Sequence, residues 1–199
     1  MRALTLGWRI AVGHGACWRR RCLALSIASI ALAAAFSFAD AASGSGAQAS
    51  GCPGAQTSPA HGKRFLRALL CLHDAERRSH GMRSLRVHRA LRRAANIHAR
   101  DMVRRRYFDH VSPAGSDPVG RALAGGYRDA RKIDVREHQL TWSTPLTPAE
   151  VMRKWMASPP HRQDILTPRW RDVGIALVRA STSGHLGVTV VVEFGRRYR

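Results

Sequence analysis

The chain has 199 residues, of which 45% are hydrophobic and 23% are charged. This composition is typical of a globular protein and excludes a fibrous or largely disordered chain. The 33 Lys and Arg residues outnumber the 13 Asp and Glu residues and give a formal net charge of +20, which bears on partners rather than on fold. Only three of these basic residues are lysines, so the excess is almost entirely arginine.

The first predicted element is a secretory signal peptide over residues 1–41. Five arginines precede an uncharged apolar run at residues 22–39, and small residues then offer cleavage after Ala39 or Ala41. A transmembrane anchor is the alternative, because the run is near the lower limit of a membrane span. We favour cleavage, which predicts a secreted or periplasmic cell-envelope protein with no transmembrane span. Loss of five arginines and Asp40 lowers the net charge from +20 to about +16.

Residues 42–62 are rich in Ala, Ser, Gly, Gln and Pro and are predicted to form a flexible linker before a domain at residues 63–199. Two cysteines, Cys52 and Cys71, remain after removal of the leader. An even pair in an exported protein predicts a disulfide bond between them. This bond would tie the linker to the first helix and stabilise the domain by about 3 kcal/mol.

The domain is predicted to begin with two amphipathic helices, at residues 63–79 and 88–106. The apolar stripe of the second helix includes His98, for which burial in the core is the expected role. Two further helices are indicated by their first residues. Asp117 is typical of an N-cap before a proline, and residues 147–150 (Thr-Pro-Ala-Glu) are typical of a capping box.

The second half of the domain changes from helical to strand periodicity. Residues 158–160 (Ser-Pro-Pro) are predicted to end the fourth helix, and a brief turn is expected over residues 161–166. Strands are predicted at residues 133–142, 173–178 and 186–194, with the last two joined as a hairpin and the last one central. Helices first and strands late favour an α+β fold in which helices pack on a small antiparallel sheet.

Seven segments resemble, in order and at the expected spacing, the motifs of the CAP superfamily in its bacterial, SCP-like extracellular form. The segments are 69–77 (LLCLHDAER), 81–85 (GMRSL), 94–102 (AANIHARDM), 107–113 (YFDHVSP), 155–166 (WMASPPHRQDIL), 172–176 (DVGIA) and 193–195 (EFG). The resemblance covers about residues 65–195. It implies an α-β-α sandwich with a cleft that is lined by two histidines and acidic side chains.

By position, the resemblance assigns this cleft to His110, Glu137 and His161. The family's second glutamate has no counterpart here, and Asp164 replaces an asparagine of the family motif. Two imidazoles and a carboxylate suit Zn²⁺ or a similar divalent cation, general acid–base chemistry, or a hydrogen-bonded cluster that orients loops. Neighbouring residues on a strand point to opposite faces, so Glu137 and His138 should not both enter one site.

Three functions are compatible with these features. The first is an exported binding or interaction module for a lipid, a cell-envelope component or a protein, because the family shares no single activity. The second is an extracellular metal- or histidine-assisted hydrolase, which is less favoured because no convincing nucleophile accompanies the histidines. The third is binding of anionic surface polymers through the arginine-rich face of the second helix and residues 104–106. The chain carries no nucleic-acid motif, so sequence-specific nucleic-acid binding is not expected.

Overall fold

The structure is a computed structural model that describes residues 51–128 and 132–198. The predicted signal peptide at residues 1–41 and its cleavage position lie outside the described residues, as do residues 42–50 of the predicted linker. No helix within the described ranges is long and apolar enough to cross a membrane.

The turns over residues 51–61 pack against the domain that follows them. Cys52 and Ala55 are only 4% and 5% exposed and belong to the hydrophobic core. A disulfide joins Cys52 to Cys71, which confirms the predicted pairing. The backbone N–H of Ala149 donates to the carbonyl oxygen of Ala55 at 2.9 Å. This part of the predicted linker is therefore fixed to the domain at two points.

The part of the chain that the structure describes contains five helices: α1 (Gly62–Ser79), α2 (Arg89–Arg105), α3 (Pro118–Ala124), α4 (Pro148–Ala157) and α5 (Pro159–Ile165). The first four confirm the predicted helices, and local hydrogen bonds explain where two of them begin. The side chain of Asp117 accepts from the N–H of Gly120 and caps α3. Thr147 and Glu150 form the expected reciprocal capping box of α4.

The fifth helix shows that the turn predicted over residues 161–166 is wrong. Ser158 ends α4 and is also the N-cap of α5, so the two helices follow each other directly. Pro159 and Pro160 occupy the first turn of α5, where a helix leaves its N–H groups without intrahelical partners. The same prolines that interrupt one helix therefore begin the next one.

Four strands form one mixed sheet in the order β1-β3-β4-β2: β1 (Arg86–Val87), β2 (Lys132–Trp142), β3 (Asp172–Val178) and β4 (Val188–Tyr198). As predicted, β4 is central, and both β2 and β3 pair with it in antiparallel orientation. The two-residue β1 was not predicted and runs parallel to β3, so the sheet is not purely antiparallel. A strand of two residues is too short to show periodicity in the sequence.

Helices cover both faces of the sheet, and this confirms the α-β-α sandwich of the α+β class. On one face, α1, α4 and α5 bury a large core that includes Phe65, Trp155 and Phe194. On the other face, α2 packs on β3 and β4 through small side chains. A Cβ atom at Gly174 would lie 2.1 Å from backbone atoms of α2, so only glycine allows the helix to approach β3 this closely.

Candidate functional site

The centre of the candidate site is Glu137 on β2, whose side chain is fully buried. Its Oε1 accepts hydrogen bonds from Nδ1 of His110 at 2.9 Å and from Nε2 of Gln139 at 2.6 Å. Its Oε2 accepts a hydrogen bond from Nη2 of Arg121 at 2.7 Å. The Nε2 atom of His98 lies 3.6 Å from Oε1. Both carboxylate oxygens are thus held by neighbouring side chains.

Arg121 supplies the cation that a buried carboxylate requires. It lies on α3, is 5% exposed, and also holds the preceding loop through its two Nη atoms. Its Nη1 donates to the carbonyl oxygen of Ser116 at 2.6 Å, and its Nη2 donates to the carbonyl oxygen of His110 at 2.9 Å. One side chain therefore fixes both Glu137 and the backbone that carries His110.

A second carboxyl group belongs to Glu193 on β4, which lies directly opposite Glu137 in the antiparallel pairing of β2 and β4. The Nε atom of Arg121 lies 4.0 Å from Oε1 of Glu193. Burial and the charge of Glu137 raise the pKa of Glu193 well above its ordinary value. Burial alone would also raise the pKa of Glu137, but the hydrogen bond with His110, the neighbouring carboxyl group of Glu193 and the charge of Arg121 outweigh it and lower that pKa. Glu137 is thus the ionised member of the pair and Glu193 the neutral one.

His98 on α2 is the third buried titratable group of this network. Its burial in the helix core was predicted and is confirmed, since it is 1% exposed. Its Nε2 lies 3.0 Å from the carbonyl oxygen of Asp109 and 2.8 Å from Nε2 of Gln139, and its Nδ1 lies 3.3 Å from the hydroxyl of Tyr107. Burial lowers the pKa of His98 despite the nearby charge of Glu137, so the ring is neutral at neutral pH.

His110 differs from these buried groups because its side chain is 55% exposed. The hydrogen bond between its Nδ1 and Glu137 leaves the Nε2 edge of the ring outside the buried network. A carboxylate that holds one imidazole nitrogen fixes the tautomer and the orientation of the ring. His110 is therefore an oriented, accessible imidazole that can bind a ligand or exchange a proton.

His161 on α5 belongs to a second cluster. Its Nδ1 lies 2.9 Å from Oγ of Ser158, and its ring centroid lies 4.8 Å from that of His138. His138 is fully buried, with its Nε2 3.3 Å from Oδ2 of Asp164. The same carboxylate oxygen lies 2.9 Å from Nε of Arg136. Burial lowers the pKa values of both histidines, and the charge of Asp164 opposes that effect.

The two clusters lie on opposite faces of β2, as the alternation of strand side chains predicts. Glu137 contacts residues of α2 and α3, whereas His138 contacts the ring of Trp155 on α4 and the ring of His161 on α5. Of the three residues assigned from the sequence, His110 and Glu137 are in direct contact. His161 touches neither of them but is coupled electrostatically to His110, whose positive charge lowers the pKa of His161.

An open cavity of about 600 Å³ adjoins the Glu137 network. It lies between α2 and the loop that precedes α3, and Arg121 and His98 line it. Its apolar wall includes Ile97 and Val178, and its other residues are Arg100, Asp101, Val103, Arg104, Ser112 and Ser116. The cavity therefore combines apolar and cationic surface beside the ordered imidazole and carboxylate groups.

The sequence model of the cysteine-rich secretory protein family, CAP, matches residues 70–194. The chain belongs to this family. The match includes His110, Glu137, His161 and Glu193, so every titratable group discussed above lies within the CAP domain. The resemblance inferred from the sequence motifs is therefore confirmed.

Individual relatives agree with this assignment. The Bacillus subtilis (strain 168) protein YkwD, itself uncharacterized, is 27% identical over 128 residues, which are 63% of this chain and 47% of that protein. This chain is thus similar to about half the length of YkwD. Two solved structures share the fold: an outer surface protein from Borrelia burgdorferi, and an extracellular protein containing a SCP domain from Bacillus anthracis str. Ames.

The structural likeness to both proteins concerns the fold alone, because the sequences have diverged. The Borrelia protein has a TM-score of 0.57 at 19% identity, with 68% of this chain and 94% of that chain covered. The Bacillus anthracis protein has a TM-score of 0.54 at 18% identity, with 68% of this chain and 43% of that chain covered.

The prediction of a bound divalent cation requires donor atoms that are free to coordinate it. Both oxygens of Glu137 are engaged by neighbouring side chains, so Glu137 supports His110 and is not an open ligand. Among the described residues, no group of three His, Cys, Asp or Glu side chains is placed to hold a metal ion. Divalent-cation binding by His110, Glu137 and His161 therefore stays a prediction.

Two residues of the CAP-domain site, Arg121 and Gln139, were not predicted from the sequence. In a chain with 33 basic residues, the sequence alone does not indicate which arginine pairs with a buried carboxylate. The N-cap at Asp117 predicted the helix that carries Arg121 but not the carboxylate that it contacts. Gln139 could have been inferred from strand periodicity, because residues 137 and 139 share one face of β2.

Proposed function

We propose that this CAP-domain protein is an exported binding module whose ligand contacts His110 and the adjoining cavity of about 600 Å³. The observation that carries the proposal is the state of Glu137, which is fully buried and has both oxygens engaged. Such a carboxylate orients His110 but has no accessible oxygen for substrate. Arg121 holds the backbone of His110 and also lines the cavity, so a fixed imidazole and a preformed cavity are available for recognition.

Export is supported by the disulfide between Cys52 and Cys71, because such bonds persist in oxidising compartments. The names of the two structural relatives describe an outer surface protein and an extracellular protein. We therefore propose that this chain acts outside the cytoplasm, secreted or in the cell envelope, after cleavage of residues 1–41. N-terminal sequencing of the exported protein would test this, and a mature chain that retains Met1 would contradict it.

The ligand classes that we propose are a lipid, a cell-envelope component or a protein segment. The cavity supports this choice because apolar Ile97 and Val178 share it with Arg100, whose charge no described Asp or Glu neutralises, whereas Arg104 is paired with Asp101. A ligand that combines apolar and anionic groups meets both kinds of surface, whereas a small polar metabolite would leave the apolar wall uncovered.

The test is native mass spectrometry of the protein recovered from the exported fraction. We expect a bound mass in the wild type, its loss in His110→Ala, and its retention in the control His185→Ala, which changes an exposed histidine elsewhere. The proposal is contradicted if the bound mass is absent from the wild type or persists in His110→Ala.

A second candidate function is a histidine-assisted hydrolase, favoured by the 2.9 Å hydrogen bond between His110 and Glu137. A carboxylate that orients an exposed imidazole is also the arrangement of a general base. This hypothesis predicts that His110→Ala, Glu137→Gln and His161→Ala each abolish turnover in a panel of ester and amide substrates, with and without a chelator. Equal turnover in all three folded variants would exclude the assignment of these residues to catalysis.

A further inference from the structure

A groove separate from the histidine site lies at the β3 side of the sheet, between α1 and α2. Two adjoining cavities of about 330 and 430 Å³ form it and share Leu66, Arg92 and Ile175. We call it the α1–α2 groove. Its remaining lining residues are Lys63, Arg67, Leu70, Val87, Arg89, Arg93, Asn96, Ala176 and Leu177. No hydrogen bond or ion pair joins these residues to the Glu137 network in the described part of the chain.

The two cavities differ in chemistry. The smaller one has an apolar floor made of Leu66, Leu70, Val87 and Ile175, and Val87 is 54% exposed. The larger one is bordered mainly by polar groups of α2, namely the three arginines at 89, 92 and 93 and the amide of Asn96. Because Lys63, Arg67 and Arg92 also border the smaller cavity, the groove carries cations along its whole length and has its largest apolar surface at the smaller end.

The cations of the groove are not neutralised by the protein. Lys63 and Arg67 of α1, with the three arginines of α2, form no ion pair with any described Asp or Glu, and no acidic residue lines either cavity. Arg86, which is close in sequence, is instead paired with Asp172 at 3.5 Å. Like charges gathered on both walls of one groove repel each other unless an anion binds between them.

We propose that the α1–α2 groove binds an amphiphile with one acyl chain and a phosphate headgroup. The chain would lie on Leu66, Leu70 and Ile175, and the phosphate would contact Arg89, Arg92 and Arg93. Arginine suits this role because its planar guanidinium donates two parallel hydrogen bonds to phosphate oxygens. Adjoining apolar and guanidinium-lined cavities match the two ends of such a molecule, whereas free phosphate would leave the apolar floor exposed.

This site does not depend on the function proposed for His110, and its test uses other residues. Binding of a lysophosphatidic acid to the disulfide-bonded exported protein would be measured by isothermal titration below the micelle concentration. The comparison ligands are a lysophosphatidylcholine of the same chain length, the parent fatty acid, and inorganic phosphate. We expect tightest binding for the lysophosphatidic acid, by at least tenfold over each of the others.

Three double variants locate the binding. Arg92→Gln with Arg93→Gln removes two exposed charges of the groove and should weaken binding at least tenfold. Arg100→Gln with Arg104→Gln removes two arginines of the same helix from the cavity beside His98, and therefore reports whether the ligand binds in that cavity instead. Arg78→Gln with Arg153→Gln is the control for net charge, because both residues are exposed and line neither cavity, and it should change affinity less than twofold.

The proposal is overturned by any of three results. Equal affinity of the Arg92 and Arg93 double variant and the wild type would show that the groove does not hold the headgroup. Stronger loss in the Arg100 and Arg104 variant would place the ligand in the cavity beside His98. Equal binding of inorganic phosphate would show a plain anion site. Melting temperatures of all variants within about 2 °C of the wild type would exclude unfolding as the cause.

Discussion

Glu137 and Glu193 lie directly opposite each other on the antiparallel strands β2 and β4, and both side chains are fully buried. Arg121 is the cation beside them, at 2.7 Å from Glu137 and 4.0 Å from Glu193. One positive charge neutralises only one of two buried carboxylates. The raised pKa of Glu193 and the lowered pKa of Glu137 follow from this imbalance, so Glu193 is the member of the pair that holds a proton to higher pH.

The first prediction is that Glu193→Gln stabilises the domain relative to the wild type by an amount that grows as the pH rises. Because the folded-state pKa of Glu193 is raised, the unfolded chain loses this proton near its ordinary pKa of about 4.3 whereas the folded chain keeps it, so stability falls as the pH rises from that value towards the folded-state pKa. Gln resembles the protonated acid but has no proton to lose. Urea unfolding from pH 4 to pH 8 should show a growing advantage of the variant. Parallel stability curves would contradict the assignment of the proton to Glu193.

The second prediction concerns Arg121→Met, which removes the cation and leaves Glu137 charged in a buried site. We expect the free energy of unfolding to fall by about 3–5 kcal/mol, which is typical when one partner of a buried ion pair is removed. Arg128→Met, at an exposed position after the same helix, is the control and should change the free energy by less than about 0.5 kcal/mol.

A double variant separates charge from packing in that experiment. Adding Glu137→Gln to Arg121→Met removes the unpaired charge, so it should restore part of the lost free energy of unfolding. Denaturant unfolding of the two single variants and the double variant gives the coupling. A double variant that is destabilised by the full sum of the two single changes would show that the ion pair does not hold Glu137 in place.

Local signals predicted the helices and strands well, because the residues that determine them are close in sequence. The capping box at Thr147, the N-cap at Asp117 and the buried stripe with His98 all occur in the structure. The alternation of side chains on β2 also separated Glu137 from His138. The error at α5 arose from interpreting Pro159 only as a helix breaker, although proline is also favoured in a first helical turn.

The rest of the site could not be predicted because it depends on pairing between distant residues. The register that sets Glu137 opposite Glu193 spans 56 positions of sequence and follows from the sheet topology. Nothing in the sequence distinguishes Arg121 from the other arginines, and only the position of α3 brings it into contact with Glu137. The sequence alone cannot distinguish a carboxylate whose oxygens are engaged in this way from one that is free to bind a metal. For this reason it could not determine whether Glu137 is a cation ligand.

The third prediction is that Cys52→Ala with Cys71→Ala lowers the free energy of unfolding by about 3 kcal/mol, because the unfolded chain regains the entropy of an open loop. The bond spans 19 positions and fixes residues 51–61 to α1. Wild-type protein unfolded under reducing conditions should match the double variant. If reduction leaves the wild type as stable as before, the turns do not depend on the disulfide for their attachment.

The fourth prediction is that His73→Phe protects the domain against acid. His73 is completely buried between Trp155 and Phe194, and burial lowers its pKa from 6.5 to about 3. A lowered folded-state pKa means that the unfolded chain binds the proton first, so stability is lost as the pH falls below about 6.5. At pH 5 this amounts to about 2 kcal/mol.

Phe fills the same aromatic contacts and does not titrate, so the gain of His73→Phe over the wild type should be larger at pH 5 than at pH 8. Denaturant unfolding at the two pH values measures it. The other buried histidines are present in both proteins, so the difference between the two pH values reports mainly on His73. A gain that is equal at both pH values would show that the substitution acts through packing alone, and that the buried imidazole of His73 is not a cause of acid sensitivity.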